Sequence, residues 1–534
     1  MTRWRSWTAL AAALLLLNAS LSFENFWPTP AILWQGELSV ELAAALIALA
    51  VTSHWFGPPS RATLRWLGVV WLALVIGRYA DVTAPALYGR DINLYWDLRF
   101  IPDVAAMVAR VAPSWLILVS VAAAVAVIIV LYTLLRWAIG RVGDAMINAR
   151  ERRALGAIGL VVLLLFVGRR ISARVPDRFS TPVVQTYVRQ VRLVFEALTG
   201  STSLPASPPM HSDLSLAKDA DVFLFFIESY GAVSWERPSF AAQLTAGRTR
   251  FEDAIHATNR RVVSAYVESP TFGGGSWLAH LSLMSGIEVR GPDTNALLMT
   301  QPRDSVVTAF SRRGYRTVAL MPGLKQVWPE GAFYKFDDIY GAERLNYRGP
   351  EFGWFAVPDQ FSIATLDALE VSRQPRAPLF VFFPTVSTHF PFSPTPPYQP
   401  DWPKVLTDTP YDVPQIVRAY SREPDWVDFG PGYVDAMTYD FASLEGYLRA
   451  RPDRDFIMIL IGDHQPPAAV SGEHAPWDVP VHVIASRQAV LDRLIASGFR
   501  AGLTPARPAI SRMHALLPTL LNAFGNSGGN TPNF

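Results

Sequence analysis

Apolar residues fall into two different rhythms along this chain. Over the first third they form long runs, at about Trp7–Phe23, Ala31–Val51, Leu64–Ile76, Trp115–Leu135 and Ala154–Val167. A helix needs about 20 mostly apolar residues to cross a bilayer, so the second and fourth runs suffice, while the third and fifth must borrow flanking residues or tilt little. The first, with Arg3 and Arg5 ahead of Ala and Leu, also has the form of a signal peptide, although four further spans favour a retained anchor. From about Asp221 the rhythm changes to short apolar runs between helical segments: Val222–Ile227, Thr317–Leu320, Leu379–Phe383, Phe456–Ile461 and Val481–Ala485. Strands alternating with helices predict a parallel α/β sheet covered on both faces, with its site beyond the carboxyl ends of the strands.

Between these halves, Val184, Tyr187, Val188, Val191, Phe195 and Leu198 recur at helical spacing after Pro182, with Arg189 and Arg192 interspersed. The pattern predicts an amphipathic helix, either on a membrane surface or packed on the following domain. Ser201–Pro209 is rich in Ser and Pro and reads as a linker. The expected organisation is a transmembrane domain over 1–168, a juxtamembrane helix and linker over 169–220, and an α/β domain over 221–534. Arginine placement orients the spans: Arg3 and Arg5, then Arg61 and Arg65, then Arg136, Arg141, Arg150, Arg152 and Arg153 all fall on one side, which should be the cytoplasm. The α/β domain then lies outside. Arg169, Arg170 and Arg174 run against that rule, following span five where anionic lipid headgroups would meet them.

Composition narrows the chemistry. A length of 534 residues exceeds one ordinary domain, and 50% apolar against 17% charged residues averages a greasy part and a soluble part. A net charge of +2 gives no pointer to nucleic acid. The absence of cysteine removes disulfides, Cys-ligated zinc and a cysteine nucleophile.

Three apolar runs end in residues able to bind a metal or attack an ester: FLFFIES at Glu228, FGGGSW at Ser276 and IMILIGDH at Asp463-His464. Taken singly, each is an ordinary strand or helix end. Together they make one metal-assisted phosphate-ester or sulfate-ester site, with carboxylate, hydroxyl and Asp-His pair around a divalent cation. Ser276 follows three glycines and opens a helical run, where free amides favour an anion, although a serine there also serves as a helix cap. Thr271 is the rival nucleophile. Asp463 and His464 suit zinc or manganese, with magnesium a further candidate. His389, in the THFPF stretch, is placed to bind substrate or move a proton. His474 either reaches a second metal or the leaving group or is an exposed loop histidine, and Trp328 either walls a headgroup pocket or packs.

These motifs resemble the membrane-anchored, sulfatase-like branch of the alkaline phosphatase superfamily, which includes lipoteichoic acid synthases and phosphoethanolamine and phosphoglycerol transferases. FFIESYG is similar to its first metal-binding strand, FGGGSW to its nucleophile turn, STHFPF to its substrate-histidine loop, IGDHQPP to its second ligand pair and ALLPTLLNAFG to its closing helix. The resemblance implies about five N-terminal spans and an extracytoplasmic α/β sulfatase-like domain. It also implies transfer of a phosphate-linked headgroup from a membrane phospholipid to an envelope glycan or lipid through a phospho-Ser276 intermediate. Glu228, Ser276, Asp463 and His464 would hold the metal, and Trp328, His389 and His474 the substrate. Two departures stand out: serine at the nucleophile position where threonine is usual, and Glu330 where an arginine is expected after Trp328. Trp-Leu-Ala-His after Ser276 is not the C/S-x-P-x-R context for formylglycine, which makes sulfate-ester hydrolysis less attractive. A phosphodiesterase or sulfuric ester hydrolase with the same site and a non-enzymatic membrane sensor retaining the fold are the alternatives.

Overall fold

The computed structural model describes residues 2–26, 29–88, 92, 94–98, 101–102, 105–106, 109, 113–169, 178–199, 204–324 and 328–526. Arg170, Arg174 and Ser201–Ser203 lie outside these, as do the side chains of Arg3, Arg5, Leu198 and Glu330. The chain divides into two compact units, Met1–Thr199 and Gly200–Phe534.

In the first unit each apolar run forms a helix, but the bounds differ from expectation. The helices are Thr2–Ala19, Val40–Phe56, Arg61–Tyr88, Ser114–Ala145 and Ala149–Gly168. The second run breaks: β1 (Phe23–Asn25) pairs antiparallel with β2 (Ile32–Trp34), and the helix starts only at Val40, capped by Ser39. A short apolar run such as Ile-Leu-Trp fits strand or helix equally, and Pro30 and Gly36 on either side of it disfavour a continuous helix. The third run instead lengthens to 28 residues, because the buried Arg78 is absorbed rather than ending the helix. Its guanidinium donates to the carbonyls of Phe23 at 2.8 Å and Thr181 at 3.2 Å and pairs with Glu24. Among the described residues, two helices are long and apolar enough to cross a membrane, those starting at Arg61 and Ser114. Helix Val183–Thr199 turns Val183, Thr186 and Gln190 inward, while the Tyr187 hydroxyl donates to the Ala73 carbonyl at 2.6 Å. Val184, Val188, Val191 and Phe195 form an exposed apolar stripe.

In the second unit, residues 204–220 belong to the fold rather than to a free linker. Arg303 donates to the Pro205 carbonyl at 2.6 Å, and Met210, Leu214 and Ala217 are core residues. The described residues form a nine-stranded sheet with order β10-β4-β9-β8-β3-β7-β5-β6, β11 pairing β4. Its strands are β3 (Asp221–Ile227), β4 (Arg261–Glu268), β5 (Arg316–Met321), β6 (Asp338–Gly341), β7 (Leu379–Pro384), β8 (Phe456–Gly462), β9 (Asp478–Ala485), β10 (Arg500–Ala501) and β11 (Ser511–Arg512). All five expected strands are present.

The continuous apolar composition of β3, β7 and β8 follows from burial on both sides. Val222, Leu224, Phe226, Phe380, Phe382, Ile457, Ile459 and Ile461 face one core, with helices Ser276–Ser285 and Met513–Phe524. Phe223, Phe225, Ile227, Val381, Phe383, Met458 and Leu460 face the other, with helices Pro238–Ala257, Asp359–Leu366 and Gly430–Ala450. Each such side chain contributes about 1.5–3 kcal/mol by burial, and a one-residue slip would exchange the two faces.

The sheet is not wholly parallel. β9 runs antiparallel to both β8 and β4. The reason is local: the chain leaving β8 at Gly462 stays at the same end of the sheet through residues 463–477 and re-enters at Asp478. That returning loop carries Asp463, His464 and His474.

Candidate active site

The site forms where β3 and β8 end. These parallel neighbours are aligned with Ile227 opposite Gly462, so Glu228 and Asp463 emerge side by side, both buried. Gly462 is required by this closeness, since a Cβ there would stand 1.9 Å from the Tyr230 carbonyl oxygen. The Ser229 amide donates to Asp463 Oδ1 at 2.8 Å, and the Tyr433 hydroxyl donates to the Ser229 carbonyl at 3.0 Å.

Ser276 arrives from a third element. Gly273, Gly274 and Gly275 all take positive φ (65°, 143° and 76°), a turn that side chains disfavour. It delivers Ser276 as the first residue of its helix, with Gly275 in the cap position and no side-chain cap bond. Capping is therefore not its role. The Ser276 hydroxyl donates to Glu228 Oε2 at 2.8 Å and stands 3.1 Å from His464 Nε2. Thr271, the rival nucleophile, is buried and donates to the Gly274 carbonyl at 2.6 Å, so it ties the glycine turn and is not brought to the centre.

Glu228, Asp463 and His464 offer ligand atoms that all lie within 4.8 Å of one another. Asp463 Oδ2 is buried without a hydrogen-bond partner. His464 Nδ1 lies 2.8 Å from the Gln465 carbonyl, to which it donates; that fixes the tautomer and leaves the Nε2 lone pair for the centre. Burial lowers the His464 pKa and so favours the neutral form that ligates metals. Burial, reinforced by the Glu228 charge, pushes Asp463 well above the usual carboxylate range. Burial works to raise Glu228 too; it is lowered to about 2 where the His464 and His389 rings beside it carry positive charge, and a neutral His464 withdraws the larger part of that support. Protein groups alone thus tolerate one negative charge here but not two. A divalent cation removes the conflict, and the orphaned Oδ2 and free Nε2 are donors it would take, so the residues fit the metal. Carboxylate, imidazole and hydroxyl donors suit zinc or manganese, and magnesium less well because of the imidazole.

His389 follows β7, on a loop tied to the centre: the Glu228 amide donates to Thr385 Oγ1 at 3.0 Å, and the Thr388 hydroxyl donates to the Glu228 carbonyl at 2.6 Å. The half-buried His389 ring has Nδ1 2.6 Å from the Phe390 carbonyl, leaving Nε2 unbonded. Trp328 is partly buried and packs against the core, its ring stacked with Phe336 and Phe382 at 6.2 and 6.3 Å between centroids. His474 does not join the site. Its side chain is 92% exposed on an outward turn with φ +55°, beside Glu473. A cleft of about 690 Å³ opens from Pro391, two residues past His389, lined in part by Phe392, Tyr398, Arg418, Arg422 and Phe429. None of the metal-site residues lines it.

One neighbour was not anticipated. His280 lies one helical turn beyond Ser276, its ring 4.5 Å from Phe226 and 5.4 Å from Phe382 between centroids, with Nε2 sealed and unbonded. Burial, opposed in part by Glu228, pushes its pKa down to about 3. The i, i+4 spacing in SWLAH was the available signal.

Residues 292–482 match the family model described as Sulfatase. The match takes in His389, Asp463 and His464; Glu228 and Ser276 precede it and join the site by geometry. No curated protein matches the sequence. Among solved structures, the chain is similar to the lipoteichoic acid synthase LtaP from Listeria monocytogenes, at 13% identity and a TM-score of 0.40, over 62% of this chain and 77% of that one. It is also similar to the zinc complex of the periplasmic domain of EcEptC from Escherichia coli, at 14% identity and 0.33, over 54% and 78%. A third is the Streptococcus pyogenes phosphoglycerol transferase GacH in complex with sn-glycerol-1-phosphate, at 9% identity and 0.33, over 62% and 89%.

Proposed function

We propose, from the premise that the second unit is a sulfatase-like domain of the alkaline phosphatase superfamily, that this chain is a metal-dependent transferase of a phosphate-linked headgroup. The donor is a membrane phospholipid carrying phosphoglycerol or phosphoethanolamine, and the acceptor an envelope glycan or lipid. The chain is a multi-pass protein of the cytoplasmic membrane with this unit on the outer side. The observation that carries the reading is the Ser276 hydroxyl, at a helix start and within 3.1 Å of both Glu228 and His464.

Glu228, Asp463 and His464, with Ser276, would hold a divalent cation, whose charge would polarise the phosphate and make the Ser276 hydroxyl easier to ionise. With its proton lost to solvent, Ser276 Oγ attacks phosphorus, and the bond to the diacylglycerol oxygen breaks. His389, carrying a second proton on Nε2, gives it to that leaving oxygen and then takes the proton of the acceptor hydroxyl, whose oxygen bonds to phosphorus and displaces Ser276 as the alkoxide. The amides at the start of the Ser276 helix favour the anionic phosphoryl group throughout. Burial of the centre strengthens these electrostatic terms, and phosphoryl transfer depends mainly on positioning and charge.

The second reading is hydrolysis, with water as the acceptor, and the Sulfatase match supports it. The test uses the full chain in vesicles containing labelled phosphatidylglycerol or phosphatidylethanolamine, with and without a glucan oligosaccharide. A headgroup-phosphate adduct on wild type that is absent from Ser276→Ala establishes the nucleophile, with turnover falling about a thousandfold. Label on the oligosaccharide means transfer, and label released at an equal rate without it means hydrolysis. A wild-type chain with neither adduct nor metal sinks the enzyme reading in favour of a membrane sensor.

A further inference from the structure

A second pair of buried carboxyl groups lies under the loop that carries His389. Asp359, at the start of helix Asp359–Leu366, and Asp440, within helix Gly430–Ala450, are both almost fully buried and neighbours, the two helices meeting where the Gln360 amide donates to the Tyr439 hydroxyl at 3.2 Å. Their surroundings differ. Asp359 accepts from the amides of Val386 at 2.9 Å and Ser387 at 2.7 Å, while its own amide donates to Ser387 Oγ at 3.2 Å. Neither oxygen of Asp440 has a hydrogen-bond partner, and Asp359, Thr385 and Thr388 are its polar neighbours. No described cation pairs with either carboxyl, and the remaining ionisable groups near them are the Tyr411 and Tyr439 phenols. The Tyr439 hydroxyl accepts from the Gln360 amide and makes no hydrogen bond to either carboxyl.

We infer that Asp440 is held as a neutral carboxylic acid that donates to an ionised Asp359, and that this pair is a positioning device fixing the 385–389 loop and hence His389. Two adjacent carboxylates without a cation cannot both ionise in a buried site. Asp359, with two amide donors, stabilises the charge, and Asp440, with none, keeps the proton. Burial and the Asp359 charge push Asp440 well upward, in line with this division. The device reaches the centre by two routes. Asp359 grips Val386 and Ser387, while Asp440 faces Thr385 and Thr388, whose hydroxyls hold the Glu228 backbone on both sides. Neither aspartate touches substrate.

This inference rests on the proposed reaction for its kinetic consequence but not for its structural one, and the test separates them. In the full-length protein in vesicles, Asp440→Asn keeps a neutral donor of the same shape, so kcat for phosphatidylglycerol turnover stays within about threefold of wild type. Asp440→Ala and Asp359→Asn remove the donor or one acceptor, and kcat falls about tenfold or more while KM and metal content hold. Hydrogen exchange at Val386 and Ser387 accelerates in these two variants and not in Asp440→Asn. Loss in Asp440→Asn equal to that in Asp440→Ala overturns the inference, since the site would then need a charge at 440. Unchanged exchange and kcat in all three also overturns it. If wild type turns over no phospholipid, the functional reading fails and the exchange pattern alone decides. If Asp440→Ala does not fold, Asp440→Asn against Asp359→Asn carries the same contrast.

Discussion

The two buried carboxyl pairs, Glu228 with Asp463 and Asp359 with Asp440, share a problem and differ in its solution. Both put two acids into the interior of the same sheet-and-helix unit, and each has oxygens that no protein group satisfies. Around Glu228 and Asp463 stand a hydroxyl and an imidazole whose free nitrogen points inward. Around Asp359 and Asp440 stand backbone amides and threonine hydroxyls, and no imidazole. On the proposed reading the first environment takes a divalent cation and the second keeps a proton. Buried acids therefore do not by themselves mark a metal centre; the company of a ligating nitrogen and a nucleophile does.

The comparison breaks most visibly under a charge-neutral change. Asp463→Asn removes a ligand, so metal content falls away and turnover drops about a thousandfold or more. Elemental analysis and headgroup release should show both losses, whereas the same change at Asp440 keeps both. Chelation sharpens the contrast. Stripping the cation should lower the melting temperature of wild type, because a ligand present at about 100 times its dissociation constant contributes about 2.7 kcal/mol. Asp463→Asn should melt at one temperature with or without chelator, and a wild type that is equally indifferent would remove the metal from the argument.

A separate, pH-dependent effect concerns a buried imidazole outside both pairs. His482 on β9 is buried, with Nδ1 2.7 Å from Ser264 Oγ and Nε2 3.0 Å from the Tyr230 hydroxyl. Burial first, and the Arg248 charge second, depress its pKa to about 3. In the unfolded chain it titrates near 6.5, so between the two values only the unfolded state takes up the proton. Its contribution to stability is whole above about pH 6.5 and is lost as pH falls towards 3, at about 1.4 kcal/mol per pH unit. Denaturant unfolding at pH 7, 5 and 4 should show that slope, and His482→Gln should flatten it by one proton.

Some of this was legible in the residues alone. Runs such as Phe223–Phe226 and Ile457–Ile461 announce strands buried on both faces, because burial is written into local composition. The order of the three chemical motifs places Glu228, Ser276 and Asp463-His464 at element ends, where a site forms. β4 was not anticipated: Ser264 interrupts its apolar run, and it is tolerated inside because its hydroxyl donates to the Gly502 carbonyl and meets His482 from the neighbouring strand. The long helix past Ile76 was hidden by Arg78, whose charge is satisfied by Glu24 and by carbonyls distant in sequence.

What the sequence determined was everything set by periodicity and by short-range chemistry: the greasy first part, the alternating second part, the glycine turn before Ser276 and the donor set for a metal. The tertiary structure alone decided which residues meet. It seated Ser276 on Glu228 and His464 while locking Thr271 into a turn, left His474 in solvent, brought His280 under the centre and set Asp440 against Asp359. Side-chain identity fixes what a group can do, but meetings across 48, 81 or 188 positions depend on which strands pair and which helices cover them, and no local pattern encodes that.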